Sequence, residues 1–118
     1  LWIQRRKIFA SKNRYVFKLT PSGVFTRIFR EFDLNGISSI LATKDSRTVY
    51  LVNRGRIEAI SNGKKQFLVG PNPDFTAPPD GVGSQANVQA NRLALSKDES
   101  TLYFTDARYS TVRKLILR

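Results

Sequence analysis

An all-β fold is predicted for this chain by three observations. β-branched and aromatic residues cluster in short runs, polar or Gly-containing turns separate those runs, and one stretch repeats itself further along the chain. Sustained helical periodicity bounded by caps is absent from the sequence, so no long helix is placed. At 118 residues with 41% hydrophobic and 11% aromatic content, the chain fits one domain with a usable core.

The repeat organises the fold. Residues 40–53 read ILATKDSRTVYLVN and residues 93–106 read LALSKDESTLYFTD. Lys44-Asp45 then falls on Lys97-Asp98, Thr48 on Thr101, Tyr50 on Tyr103 and Asn53 on Asp106, while Ile40, Val49 and Leu51 fall on Leu93, Leu102 and Phe104. Each copy reads as a strand, a polar turn (43–47 or 96–100) and a second strand. Both alternating sets in the second strand are partly apolar, as Val49/Leu51 with Tyr50/Val52 and Leu102/Phe104 with Tyr103/Thr105. Both strands are therefore expected to be covered on both faces, with Val49, Leu51, Leu102 and Phe104 in the core.

Third strands are expected over 56–60 and 111–115, and 15–19 reads as the same strand of an earlier copy. Fourth strands follow Gly-containing turns, over 24–29 and 66–69; Asn62-Gly63 before the latter is a strong hairpin signal. Leu1-Trp2-Ile3 is then taken as the second strand of the first copy. The expectation is ten strands in groups of three, four and three. A four-stranded unit recurring at roughly 40–55 residues is the pattern of a β-propeller, here about two and a half four-stranded blades. The segments are a partial blade over 1–33, a full blade over 34–70, an inter-blade loop over 71–91 and a partial blade over 92–118. A β-sandwich is the alternative, but it does not account for the repeat.

Composition excludes several chemistries. Without Cys or His there is no disulfide, thiolate site, cysteine nucleophile or imidazole base. The Ser–His–Asp and Cys–His constellations are impossible, and any metal would need oxygen ligands alone. Asp80-Gly81-Val82-Gly83 lacks the phosphate-loop patterns. No apolar run is long enough to span a bilayer as a helix, so an integral membrane protein is not expected. A chain that starts without Met, inside an expected strand, is read as a piece of something longer.

The net charge of +11 is uneven. Residues 1–33 carry eight Lys or Arg against Glu31 and Asp33, whereas 71–118 carry six against five acids. A basic end points to an acidic partner. Arg5, Arg6 and Lys7, with Lys12 and Arg14 in the same expected inter-strand loop, form the candidate partner-binding patch, interleaved with Trp2, Phe9 and Tyr15. Aromatic residues beside cations suit stacked bases and phosphates as well as protein.

The second half of the chain resembles NHL repeats and related six-bladed propellers. The residues that carry the resemblance are 80–86 (DGVGSQA), 91–98 (NRLALSKD), 101–106 (TLYFTD) and 112–115 (VRKL). They follow the family's order of an Asp-Gly-rich loop, a strand, an Asp-containing turn, a strand ending in Asp and an Arg-bearing third strand. Arg92 departs from it, since Gly often follows the Asn. The resemblance is good over 80–118, moderate over 37–69 and weak over 1–33. It implies a non-catalytic scaffold that contacts proteins (further blades, a second copy or another subunit) and uses no cofactor. Two other activities occur among such propellers: RNA binding on a basic face, and metal-dependent lactonase or esterase chemistry, with strictosidine-synthase-like enzymes as more distant kin. Under the second, Asn91 matches the place of an oxygen ligand to a channel metal; otherwise it is a loop-to-strand residue satisfying local backbone. Asn53 and Asp106 are expected to accept backbone hydrogen bonds at strand ends. The loop over 71–91 is expected to connect blades, or to form part of a contact surface.

Overall fold

A computed structural model describes residues 2–4, 7–12, 15–20, 22–30, 36–74, 76 and 78–117. The strands are β1 (Trp2–Gln4), β2 (Lys7–Lys12), β3 (Tyr15–Leu19), β4 (Phe25–Arg30), β5 (Ile37–Ala42), β6 (Thr48–Asn53), β7 (Arg56–Ser61), β8 (Lys64–Val69), β9 (Ala90–Leu95), β10 (Thr101–Asp106) and β11 (Thr111–Ile116). One short 3-10 turn, Gly83–Gln85, precedes β9. The strands form three antiparallel meanders, β1-β2-β3-β4, β5-β6-β7-β8 and β9-β10-β11, and none closes on itself. The all-β class is as the sequence predicts.

The repeat is visible atom by atom in the turns. Thr43 N–H donates to Thr48 O at 2.9 Å and Ser46 N–H to Thr43 O at 2.9 Å, and Ser96, Thr101 and Glu99 reproduce both bonds at 2.9 Å. Ser46 and Glu99, one repeat apart, both adopt left-handed backbone, with φ of 61° and 63°. An aspartate holds each turn: Asp45 Oδ1 accepts from the Thr43 hydroxyl and Arg47 N–H, and Asp98 Oδ1 from the Ser96 and Ser100 hydroxyls and Ser100 N–H. This is the local bonding that makes Asp and Ser good turn residues.

Burial separates the two faces of the middle sheet. Val49, Leu51, Ile40, Ala42 and Ile60 pack with Val16 of the first sheet. Val52 and Ile57, with Tyr50 alongside, pack with Leu102 and Phe104 of the third. The expected core residues are buried: Leu51 and Leu102 are fully inaccessible, and Val49 and Phe104 nearly so. Each sheet presents the same repeat positions to the sheet before it, Val49/Leu51 in one case and Leu102/Phe104 in the other. The first strands are neighbours, β1 beside β5 and β5 beside β9.

Four expectations need correction. Residues 7–12 are a strand, so Lys7 and Lys12 belong to β2 and not to a loop. Consequently β1 is the first strand of its sheet, and the groups number four, four and three instead of three, four and three. The segment read as a loop to residue 91 ends earlier, because Ala90 and Asn91 are already in β9. Finally, β6 is covered on both faces but β10 is not: Leu102, Phe104 and Asp106 are buried while Tyr103 and Thr105 are exposed. The sequence misjudges β10 because Tyr and Thr suit a covered and an open face equally well, and only a neighbouring sheet decides.

Candidate partner-binding site

The basic patch of the sequence reading falls largely outside the described residues: this holds for Arg5, Arg6 and Arg14, and for the side chains of Lys7 and Lys12. The backbone puts Lys7 opposite Gln4 and Lys12 opposite Tyr15, at the two ends of β2. Asn91 lies within β9 and is exposed, and its carbonyl accepts the Ser38 hydroxyl at 2.6 Å. Among the described residues no group of three or more acidic side chains is placed to hold a metal ion.

The polar chemistry gathers instead at the end of β10. The Asp106 side chain is inaccessible to solvent; its Oδ1 accepts from Arg108 N–H at 3.0 Å and from Gln89 N–H at 3.3 Å, and its Oδ2 pairs with Arg113 Nε at 2.9 Å. This satisfies a buried carboxylate through a cation and backbone donors together. Arg113 reaches on to Asp80, Nη1 to Oδ1 at 3.0 Å, where the Asp80 side chain is 92% exposed. Arg108 donates to Asn87 Oδ1, which also takes Asn72 N–H. Both guanidiniums lie by the Tyr109 ring, at 5.7 and 5.1 Å from its centroid, within cation–π range.

These contacts tie down the described residues between 70 and 89. Val88 N–H donates to Gly70 O and Ala90 N–H to Gly55 O. Asn72 Nδ2 donates to Ser84 O, and the Asp74 carboxylate takes both the hydroxyl and the N–H of Thr76. The Thr76 bonds hold the Asp74 carboxyl below the usual range. So secured, these residues wall a cleft of about 350 Å³ against β11, with Val69, Ala86, Val88 and Phe104 below and Asp80, Gly81 and Arg113 at its rim. A second hollow of about 450 Å³ continues it past Gly81, Lys114 and Leu115 to Leu68, Val82 and Leu117.

The third sheet also carries an open face. Tyr103 is 43% exposed, Val112 72% and Ile116 55%. The counterparts of Tyr103 and Val112 in the middle sheet, Tyr50 and Ile57, pack against the third sheet, so the same repeat face is covered once and bare once. Neither the cleft nor Arg113's part in it was legible in the sequence. The available signal was a charge in mid third strand, Glu58 in one copy and Arg113 in the next.

No family model matches this chain, and no curated protein matches it in sequence. No helix among the described residues is long and apolar enough to cross a membrane.

Proposed function

We propose that the chain is an arc of a β-propeller of the NHL kind, a non-catalytic scaffold whose open sheet face binds another protein surface of the same type. One observation carries this reading: each sheet turns the same repeat face toward the sheet before it, and the outward face of the third, with Tyr103, is bare. A head-to-tail arrangement of this sort does not end itself; it continues until a further unit covers the last face. Adjacency of the first strands β1, β5 and β9 supports sheets that fan from a common side, as blades do. Tyr103, Val112 and Ile116, exposed together on one sheet face, favour association.

Sedimentation velocity of the 118-residue chain tests the proposal. The expected result is association that grows with concentration and is weakened by Tyr103→Lys, an exposed position whose change leaves the core intact. A chain that sediments as a soluble monomer at tens of micromolar overturns it.

A further inference from the structure

We propose that Asn62-Gly63 is a modification site. Asn62 loses its side-chain amide spontaneously, ahead of the other Asn-Gly pair, Asn35-Gly36, and the isoaspartate that forms unfastens β8 from the buried carboxylate of Glu58. The turn lies within the middle sheet, so the inference does not depend on association through the Tyr103 face.

The chemistry needs only water. The Gly63 backbone nitrogen gives up its proton and attacks Asn62 Cγ. A ring C–N bond forms, the bond from Cγ to Nδ2 breaks, and the amide leaves as ammonia with that proton. Water then opens the cyclic imide. Attack at Cγ gives aspartate; attack at the backbone carbonyl carbon gives isoaspartate, whose main chain runs on through Cβ and Cγ and is longer by one atom. A glycine after the asparagine puts no side chain in the way of the attack, so Asn-Gly is the dipeptide most open to this thermal loss.

The structure distinguishes the two pairs. Asn62 and Gly63 are exposed, take φ of 54° and 73°, and make up the whole link between β7 and β8. Backbone pairing ends at Ser61 and Lys64, so the tip opens by releasing that last rung alone. A Cβ at Gly63 would meet no atom within 4 Å, so nothing crowds the glycine as it turns. Asn35 lies outside the described residues, but its glycine is held. Gly36 O accepts Arg54 N–H at 3.0 Å, and a Cβ on Gly36 would fall 2.7 Å from Arg54 Cγ. Swinging the Gly36 nitrogen means breaking that bond and displacing the arginine.

The product matters because of what the hairpin carries. A two-residue turn with both φ values positive fixes the register of its strands, and an extra main-chain atom cannot fit it. The rungs Ser61–Lys64 and Ile60–Lys65 are the first to go. Lys65 Nζ lies 3.1 Å from Glu58 Oε2, and Glu58 is only 3% exposed. Displacing Lys65 takes away the cation that answers a buried carboxylate, a costly loss. Damage at an exposed tip is thus passed to the interior of the sheet.

Peptide-mapping mass spectrometry of the full chain, aged in mildly alkaline buffer with and without guanidinium, tests the site. In denaturant the two pairs are expected to convert at similar rates. In the folded chain Asn62 should convert several-fold faster than Asn35. The isoaspartyl chain, separated by chromatography, should unfold at lower urea than the unaged chain. Asn62→Asp, with the same charge on a normal backbone, should unfold close to it. Three outcomes overturn the proposal: no conversion at Asn62 in the folded chain, conversion at Asn35 as fast or faster there, or an isoaspartyl chain as stable as Asn62→Asp. Failure of the denatured chain to convert at Asn62 would overturn it as well.

Discussion

Ser38 and Asn91 occupy the same place in consecutive repeats, 53 residues apart, and they touch: the Ser38 hydroxyl donates to the Asn91 carbonyl at 2.6 Å. Stacked sheets lie about 10 Å apart, so equivalent residues in a simple stack would not meet. Contact between equivalents requires the sheets to converge on their first strands. Two more bonds cross the same seam, from the Arg92 guanidinium to the Ser38 carbonyl and from Leu93 N–H to the Ser39 hydroxyl at 3.2 Å. At the far end of β5 the turns meet as well, Lys44 N–H donating to Glu99 Oε2 at 2.8 Å.

Removing the seam hydroxyl is expected to have a measurable effect. Ser38→Ala should cost about 1 kcal/mol, the net worth of an ordinary hydrogen bond. Urea unfolding of the variant reads it, and an unchanged midpoint would show that the sheets converge for other reasons.

Phe104 and Tyr103 are neighbours on opposite faces of β10. Phe104→Ala should cost about 3–5 kcal/mol, as large core truncations do, while Tyr103→Ala, on the open face, should stay within about 0.5 kcal/mol. Equal losses in thermal unfolding of the dilute, unassociated chain would mean that the chain itself covers the outward face of the sheet.

Gly55 links β6 to β7 at a φ of 82°, and a Cβ there would meet the Gln89 side-chain amide at 2.4 Å. Gly55→Ala therefore combines left-handed backbone cost, about 1–2 kcal/mol, with a steric conflict. Gln89→Ala in the same chain should relieve the second part and leave the first. A double variant no more stable than Gly55→Ala alone would remove Gln89 from the account.

Acid should act through the turn aspartates. Hydrogen bonds from the Ser100 and Ser96 hydroxyls and Ser100 N–H lower the Asp98 carboxyl to about 2, and Asp45 is lowered in the same direction, chiefly by the Thr43 hydroxyl. A depressed carboxyl favours the fold while ionised; that contribution is complete above the unfolded value near 3.8 and fades as the pH falls toward 2. Side-chain carboxyl NMR of Asp98 should follow this, and Asp98→Asn should flatten the fall in stability between about pH 4 and pH 2. An ordinary titration of Asp98 would dissolve the link between turn bonding and acid stability.

The middle and third sheets were readable because their repeat carries its own alignment: Lys-Asp in both turns, then Thr, Tyr and a terminal Asn or Asp. In the first sheet the strands at 1–3, 15–19 and 24–29 were readable too, and only β2 was not. Residues 7–12, KIFASK, flank a short apolar run with Lys at each end and read as a charged loop, although the run pairs on both sides with β1 and β3. Polar residues at strand ends hide a strand from composition. The cleft was illegible for a different reason. It joins Asp80, Phe104 and Arg113, which no local pattern links, and only the packing of residues 79–88 against β11 assembles it.

The buried pair at the end of β10 shows what a repeat can exchange. Asp106 is paired with Arg113, whereas at the preceding repeat's matching positions the Asn53 amide donates to Glu58 Oε1 at 3.3 Å. An amide thus serves where the neighbouring strand brings an acid, and a carboxylate where it brings an arginine. Arg113→Met keeps most of the apolar stem but leaves Asp106 charged in a site without solvent, supported only by backbone donors. Stranding a buried charge costs about 3–5 kcal/mol. Asp106→Asn removes that charge and keeps an oxygen for the N–H groups of Gln89 and Arg108, so it should be the milder change. The double variant Asp106→Asn with Arg113→Met should therefore be more stable than Arg113→Met alone, a non-additivity expected of residues in one network. Denaturant unfolding of the four chains decides it: simple addition of the two single losses would mean that the carboxylate and the guanidinium stabilise the fold independently, despite their 2.9 Å contact.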